Sequence, residues 1–173
     1  MKNKRSLEDL IAGLGEIFDS LKPFLKSSGD ALIDEPYILE LEKLHEREKG
    51  VVKDIWVQAE NKMAEAAEQF HASVHRAMDG YTTRATAAMD SYVKALKEEE
   101  NFPTKEKMNA ELNSMKTQLT RKLADADTWF NLKLATVESE MSAAVDQLFL
   151  VVYEESMKIA ARYEKAIKGS GNN

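Results

Sequence analysis

The chain has three histidines, His45, His71 and His75, and each stands one helical turn from a carboxylate or from a second imidazole. Glu42-x-x-His45 and Glu68-x-x-His71 place a carboxylate and an imidazole on one helix face, at the i, i+3 spacing with which helical bundles supply metal ligands. His71 and His75, at i, i+4, have the spacing of a helical zinc pair. A third constellation joins distant parts of the chain. Glu48 and Glu155 are the two charged exceptions in a long apolar stripe, and they are expected to face each other in one layer with His45 a turn below. Two carboxylates and an imidazole could bind a divalent metal or share a proton. The plainer alternative is that the apolar seam ends there and Lys49, Lys158 or Arg162 neutralises the charge. The plainer reading is the expectation, so no metal, catalytic or cofactor-binding residue is assigned; Glu48, Glu155 and His45 are the candidates if a metal were bound.

The remaining chemistry is excluded by residue type or by placement. Both Glu-x-x-His motifs lie on one uninterrupted segment, whereas a di-metal centre needs them on different helices facing one point. With no cysteine there is no thiolate ligand, thiol nucleophile or disulfide. No glycine-rich phosphate loop or serine elbow is present. Trp56 and Trp129 read as packing residues. The expectation is a protein that is not an enzyme and needs no cofactor.

Charge and hydropathy narrow the partners. The net charge is −6, and the one basic cluster, Lys2-Asn3-Lys4-Arg5, is too short to track a phosphate backbone, so nucleic acid is not an expected partner. The longest apolar run, Leu148-Phe149-Leu150-Val151-Val152-Tyr153, is far short of the roughly 20 residues that span a bilayer. No apolar stretch near the N-terminus leads to a small-residue cleavage site. An intracellular, cytoplasmic location is the expectation.

Those residues need elements to hold them, and the breakers mark where the elements end. Ser6 is placed to cap a first helix over about residues 6–27, with Glu8 and Asp9 in its first turn. Leu7, Leu10, Ile11, Leu14, Ile17, Phe18 and Leu21 recur on it at helical spacing. Pro23 should kink or shorten this helix, and Ser27-Ser28-Gly29 should stop it. Asp34, as cap, and Pro36, in the first turn, restart a helix that runs over about residues 35–100. Asn101-Phe102-Pro103-Thr104 then interrupts the chain, because the residue before a proline avoids helical angles. Thr104 can cap a last helix over about residues 105–168, before a flexible Gly169–Asn173 tail. The two long segments are of similar length, each roughly 95 Å if fully helical.

An apolar stripe runs through both. In the second segment it reads Leu41, Leu44, Glu48, Val52, Ile55, Ala59, Met63, Ala66, Phe70, Val74, Ala77, Tyr81, Ala85, Ala88, Tyr92, Leu96. In the third it reads Met108, Leu112, Met115, Leu119, Leu123, Ala126, Phe130, Leu134, Val137, Met141, Val145, Leu148, Val152, Glu155, Ile159, Tyr163, Ala166. Steps of 4, 4 and 3 make an eleven-residue repeat with slightly more than the helix's own 3.6 residues per turn, which predicts a nearly straight pair rather than a heptad zipper. Folding the chain at Phe102 sets Leu96 against Met108, Tyr81 against Leu123, Phe70 against Leu134 and Val52 against Val152. Small layers are expected at Ala77 with Ala126 and at Ala66 with Val137, large ones at Val74 with Phe130. The fold class follows: all-α, a long antiparallel helical hairpin of the eleven-residue coiled-coil type.

At the open end the apolar face is wider than a two-helix seam needs, with Val51, Val52, Ile55, Trp56 and Val57 opposite Leu148 to Tyr153. The first helix is the obvious cover, which predicts a three-helix base. The alanine-rich remainder buries little and should need a partner. At the turn, Ala88-x-x-x-Tyr92-x-x-x-Leu96 followed by Phe102-Pro103-Thr104 resembles the start of the helical region of guanylate-binding and atlastin-like GTPases. The likeness stops at Thr104, and the next helix lacks the His, Ala and Phe spacing that goes with it, so no family is assigned. A structural or assembly protein that binds other protein helices or a second copy of itself is the leading expectation. The eleven-residue period also suits an amphipathic, apolipoprotein-like protein of lipid surfaces, which is the second.

Overall fold

The computed structural model describes residues 5–98 and 105–171. The chain is all-α: α1 spans Leu7–Leu21, a 3-10 turn Phe24–Lys26, α2 Ala31–Glu98 and α3 Lys105–Ser170. The two long helices pack as an antiparallel hairpin, with α1 against their open end. The expected turn at Asn101-Phe102-Pro103-Thr104, including the Thr104 cap, lies outside the described residues.

Local chemistry explains each boundary. Ser6 and Asp9 form a reciprocal capping box at the start of α1, the Ser6 Oγ accepting from the Asp9 N–H at 3.1 Å and the Ser6 N–H donating to Asp9 Oδ2 at 2.8 Å. These bonds hold the Asp9 carboxyl below its ordinary pKa, the Ser6 N–H contributing most. At Leu21 the helix stops, two residues before Pro23, and the chain tightens into the 3-10 turn rather than staying α-helical to residue 27. Gly29, at φ +72°, supplies the left-handed residue that reverses the chain. α2 then begins earlier than the expected residue 35. Asp30, not Asp34, caps it, accepting from the Leu32 N–H at 3.0 Å. Pro36 consequently sits inside the helix, where it costs one hydrogen bond close to the start. α3 passes Gly169 and ends at Ser170, so Gly169 and Ser170, expected in the tail, are helical; the last two residues of that tail lie outside the described residues.

The stripe is the packed seam. Every stripe residue of α3 from Met108 to Ala166, and every one of α2 from Leu41 to Tyr92, is buried or half-buried. The exception is Leu96, which is exposed while Ala95 takes the inward position. Near its end α2 therefore steps 4, 3 (Ala88, Tyr92, Ala95), because one 4-4 step too many turns the stripe off the seam. Polar links confirm the register: Arg162 donates to Glu40, and Arg84 Nη1 donates to Gln118 Oε1 at 3.1 Å. Each of these four residues immediately precedes a seam residue of the Leu41–Tyr163 or Ala85–Leu119 layer.

The chain separates into two units. One combines the residues up to Asn61 with those from Glu138 onward, and it holds the apolar core of Leu10, Leu14, Phe18, Leu25, Leu41, Leu44, Val52, Val145, Val152, Ile159 and Tyr163. Each such side chain contributes roughly 1.5–3 kcal/mol by leaving water, an upper bound because the unfolded chain already buries part of it. α1 lies close to α3: a Cβ on Gly13 would stand 3.3 Å from the Phe149 ring. The cover is one-sided. Val52 and Val152 are buried and Ile55, Trp56, Leu148 and Phe149 pack around them, but Val57, Leu150, Val151 and Tyr153 stay exposed. A single short helix masks one flank of a helix pair, not both.

The second unit runs from Lys62 to Val137. Its buried hydrophobic residues, among those described, are Ala66 and Val137, as expected for one small layer. Phe70 and Phe130, expected in adjacent layers opposite Leu134 and Val74, stack on each other with ring centroids 4.9 Å apart. Ala77, Ala126 and Trp129 line an open groove of about 790 Å³, where small side chains leave space between the helices.

Candidate functional site

The stripe's two glutamates meet as expected, and one cation joins them. Glu48 is buried on α2 and Glu155 half-buried on α3. Arg47 Nε donates to Glu48 Oε1 at 2.6 Å and Arg47 Nη2 to Glu155 Oε2 at 2.7 Å. The two carboxylates raise the guanidinium pKa above its ordinary value, Glu48 contributing most. The expected neutralising residues are engaged elsewhere or do not reach: Lys49 pairs with Glu46 at 2.8 Å and Arg162 with Glu40. Arg47 lies just off the seam, where its long side chain reaches both acids while its head stays in water.

His45 does not join that layer as a ligand. Its ring stacks on Phe18 of α1, centroids 4.4 Å apart and 21° from parallel. Its Nε2 is buried without a hydrogen-bond partner, as is the Oγ of Ser156 on α3. Burial lowers the imidazole pKa from its ordinary value. Lys49 and Lys22 push the same way, against the pull of Glu46 and Asp19. Among the described residues no group of three or more His, Asp and Glu side chains is arranged to hold a metal ion. Glu42, Glu68, His71 and His75 are exposed on α2, so neither Glu-x-x-His motif nor the histidine pair points into a shared site. Trp56 packs against the three-helix core, while Trp129 is partly exposed.

A second polar cluster was not anticipated from the sequence. Tyr163, wholly buried, donates its hydroxyl to Asp34 Oδ1 at 2.6 Å and accepts the Ser28 backbone N–H at 2.9 Å. The Ser28 hydroxyl donates to the same Asp34 oxygen. Phe24 and Tyr37 pack edge-on against the Tyr163 ring, each at 5.5 Å. The cluster ties the α1–α2 connection to α3. Its signals were present as Ser28, Asp34 and a tyrosine on the stripe, but nothing in their spacing links residues so far apart.

Apolar surface is the other feature of note. On α2, Met78, Met89, Val93 and Leu96 are each about half exposed and recur at helical spacing. With the exposed Thr82 and Thr86 they complete a stripe beside the seam. In the other unit, Leu150, Tyr153 and Met157 form an exposed i, i+3, i+7 row on α3. Among the described residues no helix is long and apolar enough to cross a membrane. The chain matches no known protein family, no curated protein and no solved structure.

Proposed function

We propose that this chain is a structural component of an intracellular assembly, acting by docking protein helices rather than by catalysis. The observation that carries the reading is the contrast between its two units. The residues up to Asn61 and from Glu138 enclose a core of large side chains, whereas Lys62–Val137 buries only Ala66 and Val137 among its described hydrophobics. The latter unit meanwhile exposes Met78, Met89, Val93, Leu96, Trp129 and Leu132. Two helices with an alanine-rich seam gain little from each other, and exposed apolar side chains in a row favour association. The acids that suggested chemistry support the same reading, since Arg47 occupies Glu48 and Glu155.

Lipid-surface binding is the second reading, favoured by the exposed Leu150, Tyr153 and Met157 row. Against it, the long eleven-residue stripe is spent within the helix pair, and the net charge of −6 opposes anionic membranes. Cross-linking mass spectrometry in the source cells separates the two. The docking reading expects links to other proteins concentrated at Lys94, Lys97, Lys116 and Lys122 of the Lys62–Val137 unit. An absence of such links, together with retention of the purified chain on floated liposomes, would replace it with the lipid reading.

A further inference from the structure

We propose that the Met78–Leu96 face of α2 pairs, antiparallel, with the same face of a second copy of this chain. The proposal rests on the docking reading above and names the occupant of that face.

The face is largely apolar and self-complementary. Met78, Thr82, Thr86, Met89, Val93 and Leu96 occupy one side of α2 for roughly five turns; Thr82 and Thr86 are exposed, and the four large ones are about half exposed. Turned end for end about a point beside Ala87, the row superposes on itself. Met78 then meets Leu96 of the second copy, Thr82 meets Val93, and Thr86 meets Met89, so that each threonine receives a larger, apolar side chain. Such an isologous contact closes after two copies.

Charge selects a second copy over an arbitrary acidic or basic helix. Within Lys62–Val137 the lysines and arginines are matched one for one by aspartates and glutamates, so the whole net charge of −6 resides in the other unit. A unit of zero net charge does not repel its own copy. On the outer flank of the stripe, Asp79 and Lys97 both lack an ion-pair partner among the described residues. In an antiparallel pair like flanks face each other, and reversal about Ala87 brings Asp79 of one copy within two residues, about 3 Å along the axis, of Lys97 of the other. Symmetry makes this contact twice. Six residues a side are far fewer than the roughly 20–30 of a standard stable interface, so the pairing is weak, with a dissociation constant on the order of 10–100 µM.

Sedimentation equilibrium of the full chain, from about 1 to 500 µM, tests it. A monomer–dimer equilibrium is expected, weakened at least tenfold by Val93→Asp, an exposed position at which circular dichroism should remain unchanged. Asp79→Lys alone should weaken it by several-fold, and Asp79→Lys combined with Lys97→Asp should restore it, which no unrelated apolar contact would do. A monomer throughout, or association indifferent to Val93→Asp or to the charge exchange, overturns the proposal. A monomer that still cross-links to other proteins through Lys62–Val137 overturns self-pairing and leaves the docking reading standing. A stripe-dependent dimer that cross-links to nothing else does the reverse.

Discussion

Tyr163 of α3 donates its hydroxyl at 2.6 Å to the carboxylate of Asp34, in the first turn of α2. Tyr163 is wholly inaccessible to water and Asp34 nearly so, and the same hydroxyl accepts the Ser28 N–H. Tyr163→Phe therefore removes a donor from a buried carboxylate and an acceptor from a backbone amide while keeping the ring. An unsatisfied buried group costs about 1–3 kcal/mol. The variant should lose that much in urea denaturation, with a fall in Tm of roughly 2–4 °C per kcal/mol for a chain of this size. A loss below about 0.5 kcal/mol would mean that water reaches the cluster and replaces the hydroxyl.

Among the described residues, Arg47 is the one side chain joining Glu48 to Glu155. Glu48 is buried but Arg47 is largely exposed, so solvent screens part of the pair and the cost of breaking it falls below that of a fully enclosed ion pair. Arg47→Ala should destabilise by about 1–3 kcal/mol, chiefly by leaving the Glu48 carboxylate without its partner. If that is the cause, Arg47→Ala should cost much less in a Glu48→Leu background, where no charge needs neutralising. A double-mutant cycle reads the difference directly; equal penalties in both backgrounds would assign the effect to lost packing of the arginine stem.

Much of this was legible beforehand, because one-dimensional periodicity maps onto helix faces with little ambiguity. The seam from Leu41 to Tyr92 and from Met108 to Ala166 follows from spacing alone, and so does the meeting of Glu48 with Glu155. What escaped was set by side-chain reach and by local competition. Arg47, rather than the expected Lys49, Lys158 or Arg162, neutralises the acids, because a flexible arginine just off the seam can span both helices. Asp30 displaces Asp34 as the α2 cap because the turn at Gly29 delivers Asp30 to the helix start and frees Asp34 for Tyr163. Leu96 leaves the seam because the choice between a step of 3 and one of 4 is decided by packing against α3, not by residue type.

His45 makes stability depend on pH in one direction. Burial and the nearby Lys49 and Lys22 lower its folded-state pKa from 6.5, so the unfolded chain binds a proton more readily than the folded one. The groups around it are Lys49 and Glu46 of α2, Asp19 of α1 and Lys22 beyond its end, with Phe18 against its ring. By linkage, its contribution to stability is complete above about pH 6.5 and is lost as pH falls through the lowered folded value. His45→Phe, which retains a ring beside Phe18, should flatten the part of the stability–pH profile that falls away below about pH 6.5. A slope unchanged in the variant would move the acid sensitivity to the carboxylates.

The approach of α1 to α3 can be measured with two neighbouring glycines. A methyl group on Gly15 meets nothing within 4 Å, whereas one on Gly13 comes within 3.3 Å of the Phe149 ring. Both lie inside α1, where alanine is favoured over glycine by roughly 0.8–1 kcal/mol. Gly15→Ala should therefore stabilise the protein by nearly that amount. At Gly13 the same gain is offset, because Phe149 must shift by a few tenths of an ångström in a packed region, and overpacking typically costs 1–3 kcal/mol. Gly13→Ala should be neutral to mildly destabilising. In Gly13→Ala/Phe149→Leu, where the ring is gone, the alanine should recover its full helical gain relative to Phe149→Leu alone. Equal stabilisation by Gly13→Ala and Gly15→Ala in the parent chain would show that α1 stands further from α3 in solution than the 3.3 Å approach requires.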